Sequence, residues 1–176
     1  MGRPPNSILL DKGVVRCVYQ VQVRRASLTP LTPSQLEAIR VFARLRFRAK
    51  RIYITRESAN VLTLRPQQNA SLILNRTEVL RKGRYLRRWA RQLCSFGFSP
   101  EDAVVIAYAS FGLDSRSQLA NVEALVTNNF KLVNNFKTQQ TNIEDRFKRM
   151  VSNLLNPYSS LELPEVMTTA DALASI

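Results

Sequence analysis

The stretch SILLDKGVVR, residues 7–16, sets three aliphatic residues in a row and then a single carboxylate, Asp11. A short apolar run closed by polar residues is read as a strand buried on both faces, the kind found in parallel sheets. Two more segments read the same way, RIYIT at 51–55 and VEALVTNNF at 122–130. The stretch Gly13–Ser27 follows the first strand as a helix, although five valines weaken its helical propensity. Strands that alternate with helices predict an α/β domain with a mainly parallel sheet. Asp11 then has two readings: it caps the helix that follows, or it stands at a strand end to do chemistry.

Working outward, LTPLTPSQLEAIRVFARLRF (28–47) opens with Thr32 as cap, Pro33 at the first helical position and Gln35 as capping-box partner. Leu36, Ile39, Phe42 and Ala43 follow at helical spacing. RESANVLTL (56–64) reads as a short helix, and Pro66–Asn75 as a loop. SPEDAVVIAYASFG (99–112) opens with Ser99 as cap and is apolar all round, as a helix buried against a sheet is. TNIEDRFKRMVSNLL (141–155) reads as a last helix, with Thr141 and Glu144 as its capping box and Pro157 beyond its end. These elements place one domain over residues 1–157. Residues 158–176 read as a tail packed on the surface or on a partner chain.

Composition narrows the function. The 176 residues include 26 Lys and Arg against 13 Asp and Glu, a net charge of +13. Such an excess favours a phosphate-rich partner, and most of the cations are arginine, which grips phosphate with a two-pronged fork. No apolar run approaches the ~20 residues that cross a bilayer, so nucleic acid is a better partner than membrane. Histidine is absent, which excludes histidine bases, nucleophilic triads and His-ligated metals. Any catalysis therefore relies on carboxylates and a hard cation. Cys17 and Cys94 are read as free core thiols in a reducing, cytoplasmic setting. In EVLRKGRYLRRWARQLCSFGF (78–98), Tyr85, Leu86, Trp89 and Leu93 share one helical face, and Arg84, Arg87, Arg88 and Arg91 share the opposite one. That stripe is either a solvated surface or a face for phosphates. The absence of an interleaved acid favours phosphates.

In open α/β sheets the active crevice lies beyond the carboxyl ends of the strands. Asp11 ends the first strand, Glu57 lies just past the second, Asp102 opens the buried helix and Asn129 follows the last strand. Oxygen ligands of this kind suit Mg²⁺ or Mn²⁺. Each has an ordinary structural reading as well. Asp102 completes a capping box with Ser99, and Glu57 and Glu101 offset helix dipoles. Asn128 and Asn129 suit a turn.

Here the chain resembles the PIN-domain nucleases, which include the VapC-like toxins of bacterial toxin–antitoxin pairs. FSPEDAVVIAYASFG followed by VEALVTNNF is similar to that family's helix opening with an acid and its strand ending in Thr-Asn-Asp. SILLDKG is similar to its opening strand with the first catalytic aspartate. The resemblance implies a three-layer domain, with a parallel sheet of about four or five strands between helices, and metal-dependent cleavage of RNA. It assigns Asp11 and Asp102 to metal binding, and Glu57 and Asn129 to the remainder of the catalytic set. Asn129 departs from the family, which often has aspartate there, and the family glutamate sits about one turn deeper than Glu57. The expected protein is a Mg²⁺- or Mn²⁺-dependent ribonuclease, a homodimer, with an antitoxin as protein partner. Its rivals are a catalytically weakened RNA-binding module of the same fold and a structural ribonucleoprotein component.

Overall fold

The computed structural model describes residues 5–24, 30–48, 51–64 and 67–175. Its core element is β1 (Ser7–Leu10), with all four residues buried. Side chains alternate across a strand, and the two faces of β1 seed two cores. Ile8 and Leu10 join β2 (Arg51–Ile54) residues Ile52 and Ile54 on one side. Leu9 and Tyr53 join the other. A strand segment covered on both faces needs apolar residues at successive positions, which is why ILL (8–10) and IYI (52–54) read as unbroken runs rather than alternations.

The sheet has five strands, all parallel, in the order β3-β2-β1-β6-β7, where β3 is Glu78–Val79, β6 is Ala124–Thr127 and β7 is Glu165–Thr168. Helices α1 (Lys12–Arg24), α2 (Pro33–Arg48), α3 (Arg56–Thr63), α4 (Gln67–Leu74) and α8 (Thr169–Ser175) cover the Ile8 face. Helices α5 (Leu86–Cys94), α6 (Pro100–Phe111) and α7 (Phe130–Val151) cover the Leu9 face. This is the three-layer α/β architecture expected. From β1 the chain builds outward to β3, then crosses back to place β6 on the other side of β1. The order therefore reverses between β1 and β6, and a crevice opens beyond their carboxyl ends.

The valine-rich α1 forms because Val14, Val15, Val18 and Val21 all bury against the sheet, and that burial outweighs propensity. In α2 the capping box is present: the Thr32 hydroxyl accepts from Gln35 N–H at 3.3 Å and Gln35 Oε1 accepts from Thr32 N–H at 3.1 Å. Its buried stripe is Ala38, Val41, Phe42 and Leu45, so Leu36 and Ala43 lie outside it.

Four expectations are corrected. The segment Pro66–Asn75, expected as a loop, contains α4, because Ala70 and Ile73 are spaced to bury on one helical face. The helix expected to start at Thr141 is the second half of α7, a continuous helix of 22 residues. Its apolar stripe runs Leu132, Val133, Phe136, Ile143, Phe147 and is broken only near Gln140, so a polar interruption imitated a helix start. The tail beyond Pro157 adds the edge strand β7 and helix α8, with Val166, Met167 and Ala172 buried. The thiols differ too: Cys17 is half-buried and Cys94 exposed, so neither is a core thiol, and both are free. Among the described residues no helix is long and apolar enough to cross a membrane.

A second, antiparallel pair, β4 (Arg81–Lys82) with β5 (Gly112–Leu113), ties the approach to α5 onto the end of α6. Gly83 makes that closeness possible. A Cβ there would lie 1.9 Å from the Phe111 carbonyl oxygen.

Candidate functional site

Asp11 is the first residue beyond β1, and its backbone N–H still donates to the Val126 carbonyl of β6 at 3.0 Å. That bond fixes the side chain at the point where the strand order reverses. Asp11 Oδ1 accepts from Lys12 N–H at 2.6 Å, and Oδ2 accepts from the Thr127 hydroxyl at 2.8 Å. Thr127 is fully buried, and a buried hydroxyl is costly unless bonded on both sides. Its second bond is the Asn129 N–H, which donates to Thr127 Oγ1 at 3.0 Å. The Asn129 side chain then donates from Nδ2 to Asp102 Oδ1 at 3.0 Å. A chain of hydrogen bonds thus runs Asp11, Thr127, Asn129, Asp102, joining the ends of β1 and β6 to the start of α6.

This geometry decides between readings of Asp102. Ser99 Oγ accepts from Asp102 N–H at 3.1 Å, so Ser99 caps α6 as expected. A full capping box would also turn the Asp102 carboxylate back to Ser99 N–H. Instead Asp102 Oδ1 faces Asn129 across the crevice. Ser99 caps α6, while the Asp102 carboxylate bonds Asn129 rather than completing the box.

Asn129 does two jobs. It caps α7, with Oδ1 accepting from Leu132 N–H at 3.2 Å, while Nδ2 holds Asp102. Its oxygen is therefore engaged by the helix it starts. In this arrangement Asn129 also positions Asp102. Asn128, read as a turn residue, belongs to a neighbouring chain of contacts. Its Nδ2 donates to Cys17 Sγ at 3.6 Å, and its Oδ1 lies 3.0 Å from the Thr169 hydroxyl, which is 2.9 Å from Glu37 Oε2. These contacts hold α1, α2 and α8 around the end of β6.

Burial pushes the Asp11 carboxyl above the ordinary aspartate range, and the Asp102 charge adds to the rise; the Thr127 and Lys12 bonds pull the other way. Lys12 does not pair with Asp11. Its ammonium pairs with Glu101, whose carboxyl is held below the usual range by that hydrogen bond and charge.

Glu57 sits in the first turn of α3, exposed, behind the Thr55 cap. It shares with Asp11, Lys12, Thr55 and Glu101 a cleft of about 410 Å³. Asp102 and Asn129 do not line that cleft and connect to Asp11 through Thr127. The structure thus joins Asp11, Asn129 and Asp102 by hydrogen bonds, and Asp11 with Glu57 by a shared cleft. Among the described residues, no three carboxylates or thiols gather as a metal-binding cluster.

Arg87, Arg88 and Arg91 lie exposed on α5, and Arg84 lies just before it, stacked 5.4 Å from the Tyr85 ring. Leu86, Trp89 and Leu93 face the core, so the division of this helix into apolar and basic faces holds. None of the four arginines forms an ion pair with a described carboxylate.

Two participants escaped the sequence reading. Thr127 carries a signal in retrospect, since a hydroxyl at the last position of a buried strand needs a partner. Lys12 carries none, because its pairing with Glu101 depends on how α1 and α6 meet. Compared with models of protein families and with curated proteins, the chain matches none.

Proposed function

We propose that this chain is a divalent-metal-dependent ribonuclease of the PIN type, acting on RNA phosphodiester bonds in the cytoplasm. The observation that carries the reading is the convergence of Asp11 and Asp102 at the reversal of strand order, linked through Thr127 and Asn129. The donor set fits Mg²⁺ or Mn²⁺, which are held through one or two carboxylates with water and substrate phosphate completing the shell. Asp11 and Asp102 would hold the ion. Bound there, it supplies neutralisation of phosphate charge and a more acidic water. The chain's own groups do the positioning: Thr127 orients Asp11, Asn129 orients Asp102, and Glu57 lines the cleft by which RNA reaches Asp11. The arginines of α5 supply attraction for the backbone. A toxin role with an antitoxin partner, and a homodimeric state, follow from the resemblance alone and belong to this proposal.

The second reading is an RNA-binding module of this fold with weakened catalysis. The engagement of both ends of the Asn129 amide favours it. Incubating end-labelled RNA with the protein in Mg²⁺, in Mn²⁺ and in chelator separates the two. Cleavage in metal and none in chelator supports the enzyme. Binding in chelator with no cleavage in any buffer sinks it in favour of the module.

Asn129→Asp gives a sharper expectation. Aspartate still caps α7, but its second oxygen faces Asp102 where an amide N–H had donated. Without metal, two like charges meet and the fold should lose about 1 kcal/mol, roughly 2–4 °C in Tm. With Mg²⁺ the added carboxylate strengthens the site, and less ion should be needed for half-maximal stabilisation. Parallel Tm shifts in Mg²⁺ and in chelator would refute a shared site.

For α5, the double change Arg87→Gln and Arg91→Gln should weaken RNA binding similarly for all sequences. The slope of log affinity against log salt should flatten by roughly 1.4, at about 0.7 for each phosphate contact with a single strand. An unchanged slope returns that face to the solvated surface.

A further inference from the structure

At the opposite end of the sheet from Asp11, α2 ends in ARLRFR, residues 43–48, and Phe47 is 86% exposed. A phenylalanine this open on a helix gains nothing from the fold. Its surroundings are cationic: Arg44 and Arg40 share its helical face one and two turns earlier, and the Arg46 guanidinium lies 5.9 Å from the ring centroid. Arg46 also lines a cleft of about 280 Å³ with Arg51 and Arg76. Glu78, the one acid in that cleft, already accepts the Ser115 N–H. Arg51 is half-exposed and is held in place by the Tyr53 hydroxyl at 3.3 Å and by buried Asp114 at 3.2 Å. Three guanidiniums against the Glu78 carboxylate and the Asp114 partner of Arg51 leave the cleft with a cationic excess that suits a phosphate, and an open aromatic ring stands beside it.

We propose that Phe47 with the Arg46–Arg51–Arg76 cleft is a second contact for single-stranded RNA, one base stacking on the ring and a backbone phosphate seated in the cleft. Single strands are specified because a base reaches an aromatic face only when it is free of a duplex stack. An apolar protein partner is disfavoured by charge and by area, since arginines flank the ring and the next exposed large apolar residue on that helical face is Leu36, 38% exposed. Asp11 lies about 13 Å further along the sheet, at roughly 3.3 Å per residue over the length of β2. A strand bound at both places therefore crosses the molecule, and this contact anchors RNA away from the acids. The inference shares with the proposed function only its RNA partner and needs neither metal nor cleavage.

The test is binding of fluorescent single-stranded RNA and of an RNA hairpin, in chelator, by the wild type and by Phe47→Ala, Phe47→Trp and Arg76→Gln. Phe47→Ala should weaken single-strand binding by roughly 5- to 100-fold with little effect on the hairpin. Its Tm should match the wild type, since the ring is open to solvent. Phe47→Trp should restore affinity, and RNA should quench the new indole. Arg76→Gln should flatten the salt slope by about 0.7. Equal affinity of Phe47→Ala and wild type, or an equal loss on the hairpin, overturns the stacking contact. So does competition by poly-glutamate as effective as that by RNA, which would mark an acidic-protein surface. Metal-dependent cleavage that persists while Phe47→Ala binds normally leaves the nuclease standing and removes this contact. A Phe47-dependent affinity in a protein that never cuts RNA does the reverse.

Discussion

An Asp11→Asn protein should cut RNA at least roughly 100-fold more slowly than the wild type in saturating Mg²⁺, and should gain no thermal stability from the ion. The substitution is nearly isosteric. The new amide oxygen can accept from Lys12 N–H and the new N–H can donate to Thr127 Oγ1, which leaves the Thr127 hydroxyl proton without its Asp11 acceptor. The larger change is the loss of charge. In chelator at neutral pH the variant should melt higher than the wild type, because burial and Asp102 both disfavour an ionised Asp11. A carboxyl whose pKa is raised on folding penalises the folded state at every pH above that raised value. The penalty fades as pH falls through it, so the gap between the two proteins should be widest at neutral pH and close toward 3.8. Melts and cleavage rates for both proteins, with and without Mg²⁺, check all of this; equal metal responses would remove Asp11 from the site.

Gly83→Ala should cost about 3 kcal/mol, the upper range for overpacking, and lower Tm by roughly 6–12 °C. The new methyl would sit 1.9 Å from the Phe111 carbonyl oxygen and 3.2 Å from its carbon. Both are backbone atoms at the end of α6, so no side chain can swing aside. Relief requires β4 to part from β5, and with it the approach to α5. The same change at Gly13 in α1 is the control. There the nearest atoms would be Asp11 Oδ2 at 3.8 Å and Asn128 Cβ at 3.9 Å, ordinary contacts, and alanine should be neutral or slightly stabilising. Denaturant melts of the two variants measure the difference; a Gly83→Ala protein as stable as the wild type would mean that the β4–β5 clasp yields freely.

The central strands and most helices were legible because each follows from local chemistry. SILL, IYI and ALVT are buried on both faces, and Thr32 and Ser99 cap where their neighbours suggest. What failed depended on distant partners. Residues 67–74 look like loop until Ala70 and Ile73 have a core to enter, and EVMT becomes a strand only because β6 leaves it an edge. The site divides the same way. Asp11 and Asp102 were visible from their places at element ends. The double engagement of Asn129 was not, since the sequence points to Thr141 rather than Asn129 as the cap of that helix.

Asp11 and Thr127 are 116 residues apart in the chain. Their bond waits on the pairing of β1 with β6, one of the longest loop closures this topology contains. Contacts of such separation form late and slowly during folding, after local helices and the nearer β1–β2 pair. The crevice is accordingly a product of completed folding. No fragment that stops short of residue 127 can place both partners, so any chemistry here switches on only when the sheet has closed around β1.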